Sequence, residues 1–482
     1  MSQQSFQISR FVVLLLCSLS VYTAAGQGNV HQQSTTYEWP EDPLVRQKLE
    51  TWRDQKFGML IHWGLYAVPG IVESWTLCGE DADWIGRDTT VHYDDYKKWY
   101  WGLKDQFNPV EFNPEQWAKA AKEAGMKYVV FTTKHHDGFA MFDTKESNFK
   151  ISDGPFKSNP RADVAKYVFD AFRKQEMMIG AYYSKPDWHS DYFWWSARAT
   201  PDRNVNYDIR QHPWRWNQFK KFTYNQIHEL MTGYGSIDIL WLDGGWVRPL
   251  ETVTDEVRAW GAPIPPFSQS IDMHQIATMA RKAQPGLLMV DRTVHGPYEN
   301  YQTPEQNIPK AKLDHPWESC ITLGNAWGYV PHDQFKSSTK VIHQLIEIVA
   351  KGGSLLLGVG PDAQGTLNET QISRLTEIGD WLKWNGAAIY ATRTADHERD
   401  QETFFTKGKA TATYALVRLQ EGQPVPASVS WKGNVPAKGA AMKLLSGNVQ
   451  VKWKVKDNVV TVYLPSAFIR AHHTYPALTF QY

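Results

Sequence analysis

The chain has 482 residues, and its 51 Lys and Arg residues are balanced by 51 Asp and Glu residues, so the formal net charge is zero. Hydrophobic residues make up 42% and charged residues 21% of the sequence, which is typical of a globular protein with a substantial core and excludes a disordered chain. A neutral balance without a basic run argues against nucleic acid or an anionic membrane as a partner.

The N-terminus has the order of a secretory signal peptide. Arg10 precedes the apolar run 11–17, and the small residues 24–26 follow it. We therefore predict a signal peptide over residues 1–26 and a secreted or periplasmic location. No later stretch approaches the roughly 18 uninterrupted apolar residues of a membrane span. Removal of the peptide leaves Cys78 and Cys320, and both one bridge and two free thiols remain open.

Strand-like and helix-like stretches alternate from about residue 50 to residue 392. Asn113 and Pro114 are helix-starting residues, and the apolar positions of 164–172 recur with helical spacing. Apolar runs predict buried strands at 57–63, 128–133, 179–183, 237–242, 287–290, 354–359 and 387–391, with a helix at 341–350. The alternation predicts an α/β fold, and we favour a (β/α)8-type barrel over residues 27–392 to an open sheet because no Gly-x-Gly-x-x-Gly follows an early strand.

The pattern changes after about residue 395. Val451, Trp453 and Val455 alternate with lysines, which is typical of a strand with one exposed face. Asp457 and Asn458 mark a turn before the apolar run 459–464, and shorter strands are predicted around 404–405 and 414–418. We predict a small antiparallel β-sandwich domain over residues 393–482, without a catalytic constellation of its own.

Polar and titratable side chains recur at the predicted strand ends, where barrel enzymes place their chemistry. Asp243 is the strongest candidate because it ends an apolar strand and precedes two glycines that would let a substrate approach, although Asp before Gly-Gly is also common in turns. Adjacent residues on a strand point to opposite faces, so His135 and His136 are a poor metal pair. We expect these imidazoles to bind sugar hydroxyls, and we predict no metal or cofactor.

Four motifs resemble those of glycoside hydrolase family 29, the retaining α-L-fucosidases. They are FGMLIHWG at 57–64, KHHDGF at 134–139, WLDG at 241–244 and GGSLLLGVGP at 352–361. They occur in the family's order over about residues 45–392. The resemblance implies an exo-acting enzyme that releases terminal L-fucose from fucosylated glycans through a covalent fucosyl-enzyme.

The resemblance also implies roles for individual residues. Asp243 matches the nucleophile. The acid/base position varies in the family, and Glu305, thirteen residues past Arg292, fits it best, ahead of Glu318 and then Glu299. The substrate-binding positions match His62, Trp75, His135, His136, Tyr183, Trp241, Arg292 and Trp327.

The sequence departs from the family pattern in three places. The family usually has Glu-Trp where this chain has Glu73-Ser74-Trp75, and Gly358 stands where asparagine is common. Residues 184–189 resemble the branch that prefers α-1,3/1,4-linked fucose. One alternative function is a catalytically inactive fucose- or glycan-binding protein on the same fold, and another is a metal-dependent hydrolase that uses the paired histidines. The sequence does not indicate an oligomeric state.

Overall fold

A computed structural model describes residues 36–78, 85, 87, 90–408 and 411–482. The predicted signal peptide at residues 1–26 lies outside the described residues. Within these ranges, none of the helices combines the length and the apolar character needed to cross a bilayer.

The first part of the chain alternates strands and helices around one parallel sheet. Its strands are β1 (Phe57–Ile61), β2 (Tyr128–Lys134), β3 (Met178–Ser184), β4 (Ile239–Asp243), β5 (Leu288–Asp291), β6 (Glu318–Thr322) and β7 (Ser354–Val359). Its helices are α1 (Pro43–Gln55), α2 (Tyr93–Gly102), α3 (Pro114–Glu123), α4 (Val164–Lys174), α5 (Pro213–Gly233), α6 (Asp255–Arg258), α7 (Met273–Ala283), α8 (Ser338–Ala350) and α9 (Glu369–Asn385). The strand order is β5-β4-β3-β2-β1-β7-β6, and the neighbouring strands pair in parallel. The curled sheet, surrounded by helices, confirms the predicted barrel class.

Local sequence explains where several of these helices begin. The side chain of Asn113 accepts a hydrogen bond from the backbone of Gln116 at the start of α3, and Pro114 occupies the first turn. In α4 the predicted apolar stripe is buried, with Val164, Val168 and Phe172 all inside the core. These helices cover the outer face of the sheet, so both faces of its strands are buried.

The barrel is closed irregularly between its two edge strands. Residues 299–306 occupy the gap between β5 and β6 without forming a strand of their own. The backbone of Asn300 donates to Met289 in β5, and the backbone of Glu318 in β6 donates to Gln302. Gln306 donates to Cys320 at the end of the segment. Irregular chain therefore takes the place of an eighth strand.

One predicted strand was wrong, and one strand of the sheet was not predicted. Strand β6 was missed, and residues 387–391, predicted as a strand, are the end of a short 3-10 helix followed by a turn, with Ala391 at a positive φ of 54°. The carbonyl of Ala388 accepts from the Thr406 hydroxyl of the following β region. A short apolar run cannot be distinguished from other buried chain by periodicity alone, which explains the error.

The C-terminal region is antiparallel, as predicted. Its elements are β8 (Arg393–Asp400), β9 (Thr403–Lys407), β10 (Thr413–Arg418), β11 (Ser428–Lys432), β12 (Lys443–Leu444), β13 (Val449–Gln450), β14 (Lys452–Lys456), β15 (Val459–Tyr463), α10 (Ser466–Ala471) and β16 (Ala477–Gln481). They form a six-stranded and a three-stranded sheet with a shared apolar core. Asp457 and Asn458 have φ values of 53° and 63°, which suits the tight turn between β14 and β15. The domain limits 27–392 and 393–482 stay a prediction.

Candidate active site

The carboxyl ends of the parallel strands bring a group of rings together. His62 follows β1, and His135 and His136 follow β2, while Tyr182 lies in β3. The His62 ring centroid is 5.7 Å from His135 and 5.3 Å from Tyr182, and the two adjacent histidine rings are 4.2 Å apart. The imidazoles therefore cluster above the carboxyl ends of these strands and line the pocket there.

Asp243, at the end of β4, opens onto this pocket. Its Oδ2 accepts a hydrogen bond of 2.7 Å from the Tyr182 hydroxyl, and its Oδ1 accepts one of 2.9 Å from Nη1 of Arg292. His136 Nε2 lies 3.8 Å from the same Oδ2. The carboxylate side chain is 14% exposed, so it is held by donors and is still accessible from the pocket.

Arg292, just after β5, joins Asp243 to a second carboxylate. Its Nη2 donates to Glu305 Oε2 at 2.8 Å. The other Glu305 oxygen accepts from the indole nitrogen of Trp327 at 3.3 Å. Glu305 lies in the irregular segment 299–306, and its side chain is only 6% exposed. One guanidinium thus holds the two carboxylates predicted for catalysis, one on each terminal nitrogen.

Burial and neighbouring charge fix the ionisation of the cationic and imidazole groups. Burial alone would lower the pKa of Arg292, but Asp243, Cys320 and Glu305 raise that pKa above its ordinary value, so the guanidinium is charged. Burial lowers the pKa of His135 to about 4 and the pKa values of His62 and His136 well below the ordinary range. At neutral pH the pocket therefore has neutral imidazoles, which can both donate to and accept from hydroxyl groups.

Serine side chains orient two of these imidazoles. His135 Nδ1 lies 2.5 Å from the Ser74 hydroxyl, and His136 Nδ1 contacts the Ser184 hydroxyl. In both rings the Nδ1 atom is engaged, which leaves Nε2 directed elsewhere. Ser74 belongs to the unusual Glu73-Ser74-Trp75 stretch, so this departure from the family pattern has a positioning role.

The floor of the pocket is a stack of buried rings above a carboxyl group. Tyr182 stacks on Trp241 at 5.3 Å, and the Arg292 guanidinium lies 4.2 Å over the Trp241 ring. The Trp241 indole nitrogen donates to Glu318 Oε1 at 3.2 Å, and the Tyr128 hydroxyl donates to Glu318 Oε2 at 2.5 Å. Burial raises the pKa of Glu318 to about 7. Glu318 therefore supports the floor from below.

Loops from separate strands build the wall of the pocket. Trp75 packs against His136 at 5.0 Å, with Trp188 and Trp246 each 5.6 Å from Trp75. The backbone carbonyl of Arg203 accepts from the indole nitrogens of both Trp188 and Trp246, at 3.2 and 3.1 Å. The guanidinium of Arg203 lies 5.0 Å over the Trp75 ring and 5.3 Å over the Trp246 ring. Arg203, which the sequence analysis missed, ties this wall together.

Glu73 secures the opposite wall. Its Oε1 accepts hydrogen bonds from the backbone nitrogens of Trp327 and Gly328, at 2.9 and 2.8 Å. The Trp327 ring stacks on His62 at 5.3 Å. A Cβ atom at Gly358 would lie 2.7 Å from the Trp327 ring, so glycine in place of the usual asparagine makes room for this tryptophan. Burial raises the pKa of Glu73 to about 7.

The structure does not bring every predicted residue to the pocket. The Tyr183 hydroxyl donates to Gln226 and accepts from Lys134 in the core outside the sheet, because successive residues of β3 face opposite sides; its neighbour Tyr182 takes the site position. Glu318 lies below the floor. Glu299 is engaged with His295 and with the backbone of Thr293, away from Asp243. Glu305 is the one of the three candidate glutamates that shares Arg292 with Asp243.

The two glycines after Asp243 serve the fold rather than substrate access. A Cβ atom at Gly244, where φ is 87°, would lie 2.3 Å from Pro186, and one at Gly245 would lie 2.0 Å from the Thr293 hydroxyl. They therefore allow the loops after β3 and β5 to approach β4. Cys78 and Cys320 are both buried and do not form a disulfide with each other, and Cys320 Sγ lies 3.6 Å from Arg292 Nη2. Among the described residues, no group of three or more His, Cys, Asp and Glu side chains is arranged to hold a metal ion.

Two carboxylates on one guanidinium, placed beside neutral imidazoles and tryptophan rings at the carboxyl end of a parallel barrel, define a glycoside hydrolase. The family model described as Alpha-L-fucosidase matches residues 24–387, more than half of the chain. The chain therefore belongs to the alpha-L-fucosidase family.

Individual relatives agree with this assignment. The plasma alpha-L-fucosidase of Homo sapiens is 28% identical over 399 residues, covering 80% of this chain and 79% of the relative. The structure of alpha-L-fucosidase isoenzyme 1 from Paenibacillus thiaminolyticus matches with a TM-score of 0.71 and 28% identity, over 91% of this chain and 99% of that one. The alpha-fucosidase structure from Thermotoga maritima, at 23% identity and a TM-score of 0.68, shares the fold over 92% of this chain and 100% of its own.

Proposed function

We propose that this chain hydrolyses terminal α-L-fucosides with net retention, with Asp243 as the nucleophile and Glu305 as the general acid and base. The observation that carries the proposal is the shared guanidinium of Arg292, which holds carboxylates from β4 and from the irregular segment in one pocket. Retaining glycosidases need two carboxyl groups about 5 to 5.5 Å apart on either side of the scissile bond.

The charges of the cluster suit a division of roles. Two ionised carboxylates and one guanidinium leave a net negative charge, and one added proton makes the buried cluster neutral, which low-dielectric surroundings favour. Asp243 accepts from Tyr182 at 2.7 Å, whereas Glu305 accepts a longer bond of 3.3 Å from Trp327 and is more buried. This asymmetry supports Asp243 as the nucleophile and Glu305 as the general acid and base.

The reaction then follows in two balanced steps. An Asp243 oxygen bonds to the anomeric carbon of fucose while the glycosidic C–O bond breaks and the Glu305 proton passes to the leaving oxygen. A water molecule next gives its proton to Glu305 and attacks the same carbon, which breaks the ester bond and returns Asp243 to its ionised form. The neutral imidazoles hold the sugar hydroxyls, and the indole faces suit its C–H surfaces and the positive charge of the transition state.

A binding protein without turnover would need the imidazoles and the indoles but not a second carboxylate on Arg292. The paired carboxylates therefore favour the enzyme. The decisive experiment treats Glu305→Gln with 2-fluoro-fucosyl fluoride and maps the labelled peptide. We expect a stable adduct on Asp243, and α-L-fucose as the first product when the unmodified enzyme cleaves 4-nitrophenyl α-L-fucoside. A β-anomer as first product, or a label on another residue, would refute the double displacement.

We further propose that the enzyme acts on fucosylated glycans after export and prefers α-1,3/1,4-linked fucose. The segment 184–189 supports the preference, and the order of Arg10, the apolar run and the small residues supports export. Hydrolysis of a panel of α-1,2-, α-1,3-, α-1,4- and α-1,6-fucosylated oligosaccharides tests the linkage. N-terminal sequencing of the protein after expression in a secreting host tests the export, with cleavage expected near residues 25–26.

A further inference from the structure

The three-stranded sheet of the C-terminal region has one buried and one exposed face. Strands β11 and β14 flank β15, and the side chains of Trp431, Val460 and Val462 point into the core. The residues of alternate parity face outward. We call them the lysine face, and they are Ser428, Ser430 and Lys432 of β11, Val459, Thr461 and Tyr463 of β15, and Lys452, Lys454 and Lys456 of β14.

Side-chain contacts confirm that these residues share one surface. The Lys454 ammonium group lies 5.5 Å over the Tyr463 ring, and the hydroxyls of Ser430 and Thr461 are 3.0 Å apart. Val459 of the central strand pairs with Lys456 on one side and with Lys432 on the other. This row across the sheet therefore has a lysine on each outer strand. Alternate residues of a strand are about 7 Å apart, so the lysines of β14 form a regular row.

The lysine face has a local excess of positive charge on a chain whose net charge is zero. None of the ion pairs in the described part of the chain involves Lys432, Lys452, Lys454 or Lys456. Two acids adjoin the surface: Asp457 follows β14, and Asp400 accepts from the backbone nitrogen of Lys432. Charges on an exposed edge strand also oppose edge-to-edge pairing, and the lysines of β14 have in addition a shared direction, since alternate residues of a strand lie on one face.

We propose that the lysine face binds a polyanionic glycan, which is a saccharide chain with repeated sulfate or carboxylate groups. The row of ammonium groups matches a repeated negative charge, and the intervening hydroxyls of Ser428, Ser430 and Thr461 match sugar hydroxyls. The exposed face of three strands suits an extended chain. The choice of a glycan among polyanions rests on the proposed function. Binding here would raise the local concentration of fucosylated chains at the catalytic pocket.

The test measures binding of the full-length protein to dextran sulfate, to polygalacturonate and to neutral dextran. We expect binding to one or both polyanions, none to dextran, and an affinity that falls steeply with salt. The variant Lys452→Gln/Lys454→Gln/Lys456→Gln should bind at least tenfold more weakly. Its control, Lys166→Gln/Lys174→Gln/Lys221→Gln, removes the same charge from exposed positions in or beside α4 and α5 and should bind like the unmodified protein.

Acetylation footprinting of the unmodified protein provides a test that requires no variant. The polyanion that binds, dextran sulfate or polygalacturonate, should protect the lysines of β14 and leave Lys166, Lys174 and Lys221 reactive. The proposal is overturned if these lysines stay reactive, if both triple variants lose affinity equally, or if duplex DNA or anionic vesicles bind this face as tightly as the polysaccharides. Hydrolysis of 4-nitrophenyl α-L-fucoside should be the same in both variants and the unmodified protein. If the unmodified protein fails to hydrolyse it but still binds polyanions, the catalytic proposal fails and this one stands.

Discussion

The two sides of the barrel contribute to the site in different ways. On the regular side, from β1 to β4, each strand pairs in parallel with its neighbour, with one register shift between β2 and β3. Ser184 of β3, for example, is in register with Asp243 of β4. On the irregular side, between β5 and β6, a few backbone hydrogen bonds hold residues 299–306, and Glu305 is fixed by Arg292 and Trp327. The proposed nucleophile, Asp243, thus depends on the sheet, whereas the proposed acid, Glu305, depends on other side chains.

The first prediction tests the regular side. Asp243→Asn removes the proposed nucleophile while the strand and its register remain, so kcat should fall by roughly 10³- to 10⁵-fold. In Asp243→Gly, added azide should restore part of the turnover and form β-L-fucosyl azide. Steady-state kinetics and product analysis by NMR check both results. Residual activity within tenfold of the unmodified enzyme would remove Asp243 from the mechanism.

The second prediction tests the irregular side. Glu305→Gln should lower kcat/KM by roughly 10²- to 10⁴-fold for natural glycosides, whose leaving oxygen needs a proton. The loss should be much smaller for fucosyl fluoride, which leaves without protonation. Glu299→Gln is the matched control, since it makes the same change in the same segment away from Arg292. Equal losses in both variants would show that the segment, and not the acid, is responsible.

The third prediction concerns Glu318. It begins β6, at the irregular side, and its carboxyl group contacts Trp241 of β4 and Tyr128 of β2 on the regular side. Its folded-state pKa of about 7 is above the ordinary 4.5. Between these values the folded protein holds a proton that the unfolded chain has released, so the contribution of Glu318 to stability declines as pH rises. Glutamine stays neutral, and Glu318→Gln should therefore gain about 2.5 kcal/mol relative to the unmodified protein between pH 5 and pH 8. Urea unfolding at both pH values measures this, with the exposed Glu111→Gln as a control that should show no such change.

The smallest effect separates two adjacent tyrosines of β3. Tyr182→Phe removes a hydrogen bond to the Asp243 carboxylate, worth about 1.5 to 3 kcal/mol, and should lower kcat/KM roughly 10- to 100-fold. Tyr183→Phe leaves Gln226 and Lys134 without their shared partner, so it should reduce the free energy of unfolding by about 1 to 3 kcal/mol and change kcat/KM little. Kinetics and denaturant unfolding of both variants are compared. A large loss of kcat/KM in Tyr183→Phe with little change in Tyr182→Phe would show that Tyr183, and not Tyr182, belongs to the active site.

The same difference between the two sides explains what could be predicted from the sequence. Strand ends are readable because apolar runs stop where polar side chains begin, and this located His62, His135, His136, Asp243 and Arg292. The sequence could not predict which of Tyr182 and Tyr183 faces the pocket, since two identical adjacent residues give no pattern. The register of β2 and β3 also shifts near Thr132 and Lys134. Arg203 had no sequence signal because its role depends on where a long loop folds back.

Much of the irregular side was beyond pattern analysis. Glu305 was predicted only by resemblance and by its distance from Arg292 along the chain, since an irregular segment has no periodicity. Strand β6 begins with Glu318 and includes serine and threonine, so its five buried residues do not form an apolar run. Its polar groups are satisfied instead by partners such as Tyr128 and Trp241, which only the folded structure brings near.

The single carbonyl of Arg203 that accepts from two indoles has a consequence for how this pocket can diversify. Trp188 and Trp246 belong to loops that follow different strands, yet both depend on one backbone oxygen. A deletion or insertion beside Arg203 would shift both rings together, so a change in one loop would reshape the entrance without any mutation of an aromatic residue. Substrate preference could then be altered through the length of a surface loop while the reacting groups beneath it stay in place.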